Sequence, residues 1–246
     1  MKKSVFAIAL FSAVCVMTPS CDTLHSIAKD VMAEPSIDEI GKGLKEALTT
    51  GVSKGVDFLS VKDGYYKSAY KILLPPEARK VTDRLKNIPG FDRLEENLIE
   101  RINRGAEDAA KEAKPIFVSA IRSLTFTDVT NILMGKDNAA TDFLNRTTSQ
   151  QLYEKFNPKI VASLDKVGAN ELWKKAADAY NKIPLLNNKV NTDLDDYITK
   201  EALKGLFAKV EDEEKNIRNN KLARSSALLK KVFAKQDSNR KTTGNK

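Results

Sequence analysis

A lysine, three threonines, two aspartates and an arginine fall within the fourteen residues GKDNAATDFLNRTT, positions 135 to 148. These are the residue types that grip phosphate or relay a proton. The stretch nevertheless fails as a phosphate loop. Walker A requires GxxxxGK followed by Ser or Thr, and here the lysine directly follows the first glycine. Helix-terminus chemistry accounts for most of the segment. Gly135 is suited to the left-handed conformation that ends one helix, Asn138 to capping the next, and Thr148 with Gln151 three positions on forms a second capping-box pattern. Arg146 has no partner in that reading. Its place between Leu144 and the Thr147–Thr148 cap, where the chain would turn back onto the core, predicts a guanidinium buried against helix carbonyls or a carboxylate near Asn103 and Arg104.

Elsewhere the inventory excludes whole classes of reaction. The only histidine is His25, and the two cysteines are Cys15 and Cys21. A Ser-His-Asp or Cys-His arrangement, a histidine zinc site, a Glu-x-x-His di-iron bundle and thiolate metal chemistry each lack a required part. The loop NTDLDD, residues 191–196, alternates oxygen ligands as a calcium loop does. However, Asp196 stands where the sixth-position glycine belongs, and Ala202 where the bidentate glutamate belongs. Helix capping by Asp195 or Asp196 explains it better. EDEE, residues 211–214, precedes Lys215 and Arg218 at helical spacing and reads as a solvated face of i, i+4 pairs. Glu95, Glu96, Asp128 and Asp142 are the carboxylates from which a glycosidase-type acid and base would be drawn. No cofactor or metal is expected. Basic residues are mixed with acids and aromatics are 7%, so neither a stacking platform nor a basic stripe for nucleic acid is present.

The N-terminus speaks of place. In MKKSVFAIALFSAVCVMTPSC two lysines precede thirteen residues, 5 to 17, that are apolar except for Ser12, and Cys21 follows a small residue. The run is too short for a stable transmembrane helix and has the layout of an export signal. A cysteine there resembles the acylation site of a bacterial lipoprotein. Thr18 and Pro19 depart from the usual leucine and small residue, and cleavage after Ser20 without acylation would give a secreted form. Cys15 leaves with the signal, and Cys21 would otherwise be an unpaired thiol in an oxidising compartment, so lipidation at Cys21 is the expectation. The partner so implied is the membrane, with the domain facing the periplasm or the cell surface.

These residues must be positioned by helices. Apolar residues make up 41% and charged residues 30% of the 246, with a mean hydropathy of −0.39, as in a globular chain with many solvated helix faces. Net charge is +8, or +6 once Lys2 and Lys3 are removed, and residues 235–246 carry four basic residues against one aspartate. That tail reads as a solvated, flexible end that could touch anionic head groups.

SIDE at 36–39 is a capping box opening a helix to about Leu59. Its apolar positions keep helical spacing beside a stripe of Gly43, Ala47, Gly51 and Gly55 that admits a close neighbouring helix. KDGYY is a turn and YKILLPP an extended segment whose last proline opens a helix. Helical patterns follow to Asn87, over 92–111, from Pro115 to Leu124, after a Thr127 cap to Gly135, after Thr148 with a break or bend at Asn157–Pro158, over ELWKKAADAYNKI beyond Gly168, and over about 196–219 and 224–235. The expectation is an all-α fold: a signal peptide at 1–20, an anchor and spacer at 21–35, one domain of nine or ten helices at 36–235 and a tail at 236–246.

AATDF with Thr147 and Thr148, INRGAED (102–108), YNKIP (180–184) and EEKNIRNNKLARSSALLKKVF (213–233), in this order, resemble the bacterial family catalogued as domain of unknown function 4197 over about residues 37–233. Lys221 stands where that family usually has proline, Gly105 where it often has alanine, and Ser225 with Ser226 where it often has two threonines. The resemblance implies an exported, often lipoprotein-like, helical protein and supplies no activity or catalytic residues. Its polar positions map to Asn103, Arg104, Thr141, Arg146, Thr147, Tyr180, Asn181 and Arg224. Either they converge on one cleft or they are buried hydrogen-bonding posts that fix helix crossings. The expected function is an envelope lipoprotein that binds a protein or another envelope component. The alternatives are a helical carrier of an apolar or amphipathic small molecule and, third, a carboxylate-based hydrolase.

Overall fold

Apolar side chains at helical spacing bury one face of nearly every segment, and short connections fold those faces together. The computed structural model describes residues 35–183, 190 and 194–243, and the signal, Cys21 and the spacer lie outside them. Among the described residues there are nine α-helices and no strand: α1 (Ile37–Leu59), α2 (Pro76–Leu85), α3 (Leu94–Ala110), α4 (Ala113–Arg122), α5 (Phe126–Met134), α6 (Ala139–Lys166), α7 (Ala169–Asn181), α8 (Asp195–Asn219) and α9 (Ala227–Thr243). The fold is a single compact all-α domain.

Three long helices carry the core. α1 and α8 run antiparallel, with Gly51 against Glu213 and Ile217 and Gly55 against Val210. α6 lies antiparallel on the other side of α8, where Tyr153 meets Asp196 and Thr141 meets Glu214. α3 runs antiparallel to α6, with Gly105 against Leu164 and Ser163 bonded to Asp108. α4 fills the space between α1 and α6, α2 packs on α3 and α7, and α9 closes over the start of α1. No single described helix is long and apolar enough to cross a membrane. α4 and α5 pass that test only together, across a bend of 107°, and their apolar residues Phe117, Ile121, Ile132 and Leu133 are buried in the core.

Several local expectations hold. Ser36 and Glu39 form the capping box of α1. Pro76 opens α2, and Gly168, at φ +66°, separates α6 from α7. Others are corrected. Thr125, not Thr127, caps α5 in a box with Asp128. Gly135 is extended (φ −78°, ψ −168°), and a Cβ there would meet Ala139 and the Asn131 carbonyl. Asn138 makes no side-chain cap. Thr148 opens no helix: its hydroxyl donates to the Leu144 carbonyl at 2.6 Å inside an unbroken α6. α6 also runs through Pro158. The preceding Asn157 bonds across to Thr199 at 3.1 Å, so packing on α8 carries the helix past the missing amide. α8 begins at Asp195 without a side-chain cap, and Asp196 accepts from Tyr153 instead. Finally, α9 continues to Thr243, past the expected end at 235, because Gln236 is buried and Asp237 pairs with Arg224.

Candidate functional site

The α5–α6 junction within residues 135–148 is organised from a distance, by two residues of α8. Glu214 places its carboxylate at the N-terminus of α6. It accepts from the amides of Ala140 (2.9 Å) and Thr141 (2.8 Å) and from the Thr141 hydroxyl (2.8 Å). Arg218, one turn on, donates to Glu214 at 2.9 Å and to the carbonyls of Ile132 (2.7 Å) and Leu133 (3.2 Å) at the end of α5. Both side chains are buried. One ion pair therefore bonds first-turn amides of one helix and last-turn carbonyls of another, with each charge set against the favourable helix end. The EDEE segment is not wholly a solvated face: Glu211 pairs with Lys215 at the surface, whereas Glu214 is interior.

Above this clip, α6 and α8 leave an open groove of about 550 Å³. Its α6 wall presents Asp142, Asn145, Ser149 and Tyr153, one turn apart, and its α8 wall presents Lys200, Lys204 and Glu211. Leu203 and Phe207 form the floor, and Phe207 is held edge-on by Phe117 of α4 at 5.6 Å. At the rim, Tyr153 donates to Asp196 (2.7 Å) and Lys200 pairs with it (2.9 Å). The Lys200 ammonium, and then the Tyr153 hydroxyl, hold the Asp196 carboxyl below the usual range, and Asp196 in turn raises Lys200. The Ser149 hydroxyl donates to the Asn145 carbonyl at 2.6 Å rather than to a base. The arrangement offers donors, acceptors and an apolar floor, which is the equipment of a binding surface.

The eight polar positions do not converge on one cleft. Thr141 and Arg224 belong to one chain of bonds through α8. Arg224 donates to the carbonyls of Ile217 (3.1 Å) and Arg218 (2.9 Å) and grips Asp237 through two bonds, at 2.7 and 2.9 Å. Asn103 and Arg104 serve the connection between α1 and α2. Buried Asn103 accepts from the Ile72 amide and donates to its carbonyl, both at 2.8 Å, as a neighbouring strand would. Arg104 pairs with Glu107 (2.9 Å) and with Asp63 (2.7 Å), which stands at φ +74° in the KDGYY turn. That hydrogen bond, with a second from Lys67, lowers the Asp63 pKa. Glu107 accepts from the amides of Tyr65 and Tyr66. Tyr180 is buried in the core, and Asn181 holds Val190 through two bonds, at 3.0 and 3.2 Å.

Arg146 and Thr147 are exposed on α6. The guanidinium lies 5.7 Å from the Phe143 ring, and the Asp128 carboxyl is held below its usual range by the Thr125 hydroxyl and amide and, more weakly, by the Arg146 charge. The expected burial of Arg146 is thus corrected. Because α6 runs unbroken through Thr147 and Thr148, the chain makes no turn there, and Arg218 is the arginine that reaches the helix carbonyls. The signal that would have found Arg218 is that Glu214 and Arg218, one turn apart, fall in helical register with the apolar Val210 and Ile217.

The four sequence-derived carboxylates are not brought together as an acid and base. Glu95 and Glu96 line an open recess of about 400 Å³ with Tyr66, Lys71 and Arg93, Asp128 caps α5, and Asp142 faces the groove. Between α1, α6 and α8 a narrow space of about 20 Å³, walled by Leu48, Val52, Thr141 and Arg218, has room for about one water molecule. Among the described residues no three His, Cys, Asp or Glu side chains are grouped to hold a metal ion. Residues 191–193 of the NTDLDD loop lie outside the described residues, as does Cys21.

A family model described as "Protein of unknown function (DUF4197)" matches residues 34–234. No curated protein and no solved structure matches the chain.

Proposed function

Because the chain belongs to the DUF4197 family, whose description carries no activity, we propose a function from its own geometry. It is a binding module of the bacterial cell envelope, tethered through acylated Cys21, that receives a protein segment or another envelope component in the α6–α8 groove. The groove itself carries this reading. Exposed Asp142 and Asn145, with half-buried Ser149 and Tyr153, recur along one wall over an apolar floor. The walls are held rigid from beneath, since Glu214 fixes Thr141 and thereby the start of α6. A recognition surface built on helices with a buried support costs little ordering on binding.

Photoreactive side chains at Asn145 and Lys204, introduced into the chain in intact cells, test the proposal. The expected result is a discrete adduct at both positions and none with the same group at exposed Lys80 on α2. Adducts that do not exceed the Lys80 control would sink the reading. The tether is tested separately by mass spectrometry of the exported protein, where an unmodified Cys21 ends that part of it.

A further inference from the structure

The exposed apolar side chains of the fold are unevenly distributed. Leu222 (94% exposed), Ile37 (63%), Phe126 (51%) and Met134 (39%) share the end at which the domain begins. Four contacts bring their elements together there. Lys45 of α1 donates to the Arg122 carbonyl at 2.9 Å, which draws the α4–α5 corner to the first turns of α1. Arg218 ties the end of α5 to the end of α8, and Asn219 reaches Asp137 at 3.4 Å. Lys231 of α9 pairs with Glu39 at 2.8 Å. Phe126 and Met134 lie two turns apart on α5 with exposed Thr130 between them. Leu222 stands on the 3₁₀ turn Lys221–Ala223, its amide held by Asn220 at 3.0 Å, so the turn itself projects the side chain. The remaining exposed apolar residues do not form such a group. Phe58 is covered by Lys209 and the edge of Tyr70, Val61 and Leu73 lie on the α1–α2 connection, and Ile88 follows α2.

Charge around this end favours one occupant. Arg122, Lys136, Lys221 and Lys230 are exposed there. Of the acids, Asp38 is paired with Lys42, Glu39 with Lys231 and Asp237 with Arg224 and, at 3.9 Å, with Lys221. Asp137 accepts from Asn219 and Asp128 is taken up by the Thr125 cap, so that among the described acids at this end Glu46 is left without such a pairing and the cations remain in excess. Apolar side chains ringed by cations suit the boundary between lipid head groups and acyl chains, where the cations meet anionic phosphates. The fold begins at Pro35, fourteen residues after Cys21, a span of at most about 50 Å. The end from which that span departs carries the patch.

We infer that this end of the domain rests on the bilayer surface, with Leu222, Met134, Phe126 and Ile37 entering its interface. The inference rests on the reading of Cys21 as the membrane tether, and it orients the α6–α8 groove relative to the lipid.

The test couples the chain beginning at Cys21, produced without acylation, through its thiol to maleimide lipid in vesicles whose acyl chains are brominated and which contain anionic lipid. Leu222→Trp then reports lipid contact by quenching, since Trp173 is buried. The expected result is a loss of about half of the added emission at position 222 and little at Ile88→Trp. Because tryptophan itself favours the interface, Phe126→Asp with Met134→Asp in the same chain should restore most of that emission. A helical circular dichroism spectrum shows that each variant folds. Quenching equal at positions 222 and 88, absent from both, or unaffected by the two aspartates overturns the inference. So does a protein adduct from a photoreactive group at 222 in cells with no quenching in vesicles, which would assign the patch to a protein. Chemical coupling makes these outcomes independent of whether the cell acylates Cys21.

Discussion

Two arginines on either side of the same junction have opposite standing. Arg218 is 2% exposed and neutralises Glu214 while closing the end of α5. Its removal strands a buried carboxylate and takes a donor from two helix-end carbonyls. Arg218→Ala should therefore lower stability by roughly 3 to 5 kcal/mol in urea unfolding. Arg146 faces solvent, and Arg146→Ala should stay within about 0.5 kcal/mol. Comparable losses from the two would show that the guanidinium of Arg218 has no special burden. The sequence points to Arg146, inside the segment, and gives Arg218 the place of a solvated i, i+4 partner. The two arginines lie 72 positions apart, and only the packing of α8 between α1 and α6 brings Arg218 to the carbonyls.

At the scale of the element, the glycines of α1 separate into two kinds. A Cβ on Gly51 would meet Glu213 and Ile217 at 3.6 Å, which is ordinary contact. On Gly43 it would meet the branched Val232 at 2.7 and 3.2 Å and Leu228 at 3.3 Å. Alanine restores helix propensity at both positions, but only at Gly51 is there room for the methyl group. Gly51→Ala should raise stability by about 0.5 to 1 kcal/mol, and Gly43→Ala should lower it by about 1 to 3 kcal/mol. Thermal melts of the two variants against the parent check the pair, and a shift in the same direction for both would refute the close approach of α9. The stripe of small residues was visible in the sequence as a docking face. Its division was not, because spacing along one helix carries no information about where the neighbour's side chains point.

For the whole molecule, closure depends on the last helix. Arg224, 3% exposed, joins the end of α8 to Asp237 on α9, and the neighbouring Gln236 is buried. A chain ended after Lys235 loses both, so it should unfold about 3 kcal/mol earlier than the full chain in denaturant, and Asp237→Asn should reproduce most of that loss. Unchanged midpoints would mean that residues 236–243 are dispensable. Composition makes this region look like a solvated basic tail. The helical contact that recruits it involves one acid, Asp237, thirteen residues beyond its arginine.

The amino-acid pattern by itself determined the all-α class, most helix boundaries, the capping box at Ser36, the stop at Gly168 and the family, because each follows from local spacing, backbone geometry or ordered motifs. It also removed histidine and thiol chemistry before any packing was known. Tertiary structure alone decided that Glu214 and Arg218 are interior, that Asn103 stands in for a strand beside Ile72, and that Asp142, Asn145 and Ser149 face a groove rather than a catalytic base. The physical reason is the same in each case. A helix advertises its own periodicity, but whether a polar side chain on its face meets water, a carbonyl or a charge is set by the helix packed against it. That partner can lie more than seventy residues away.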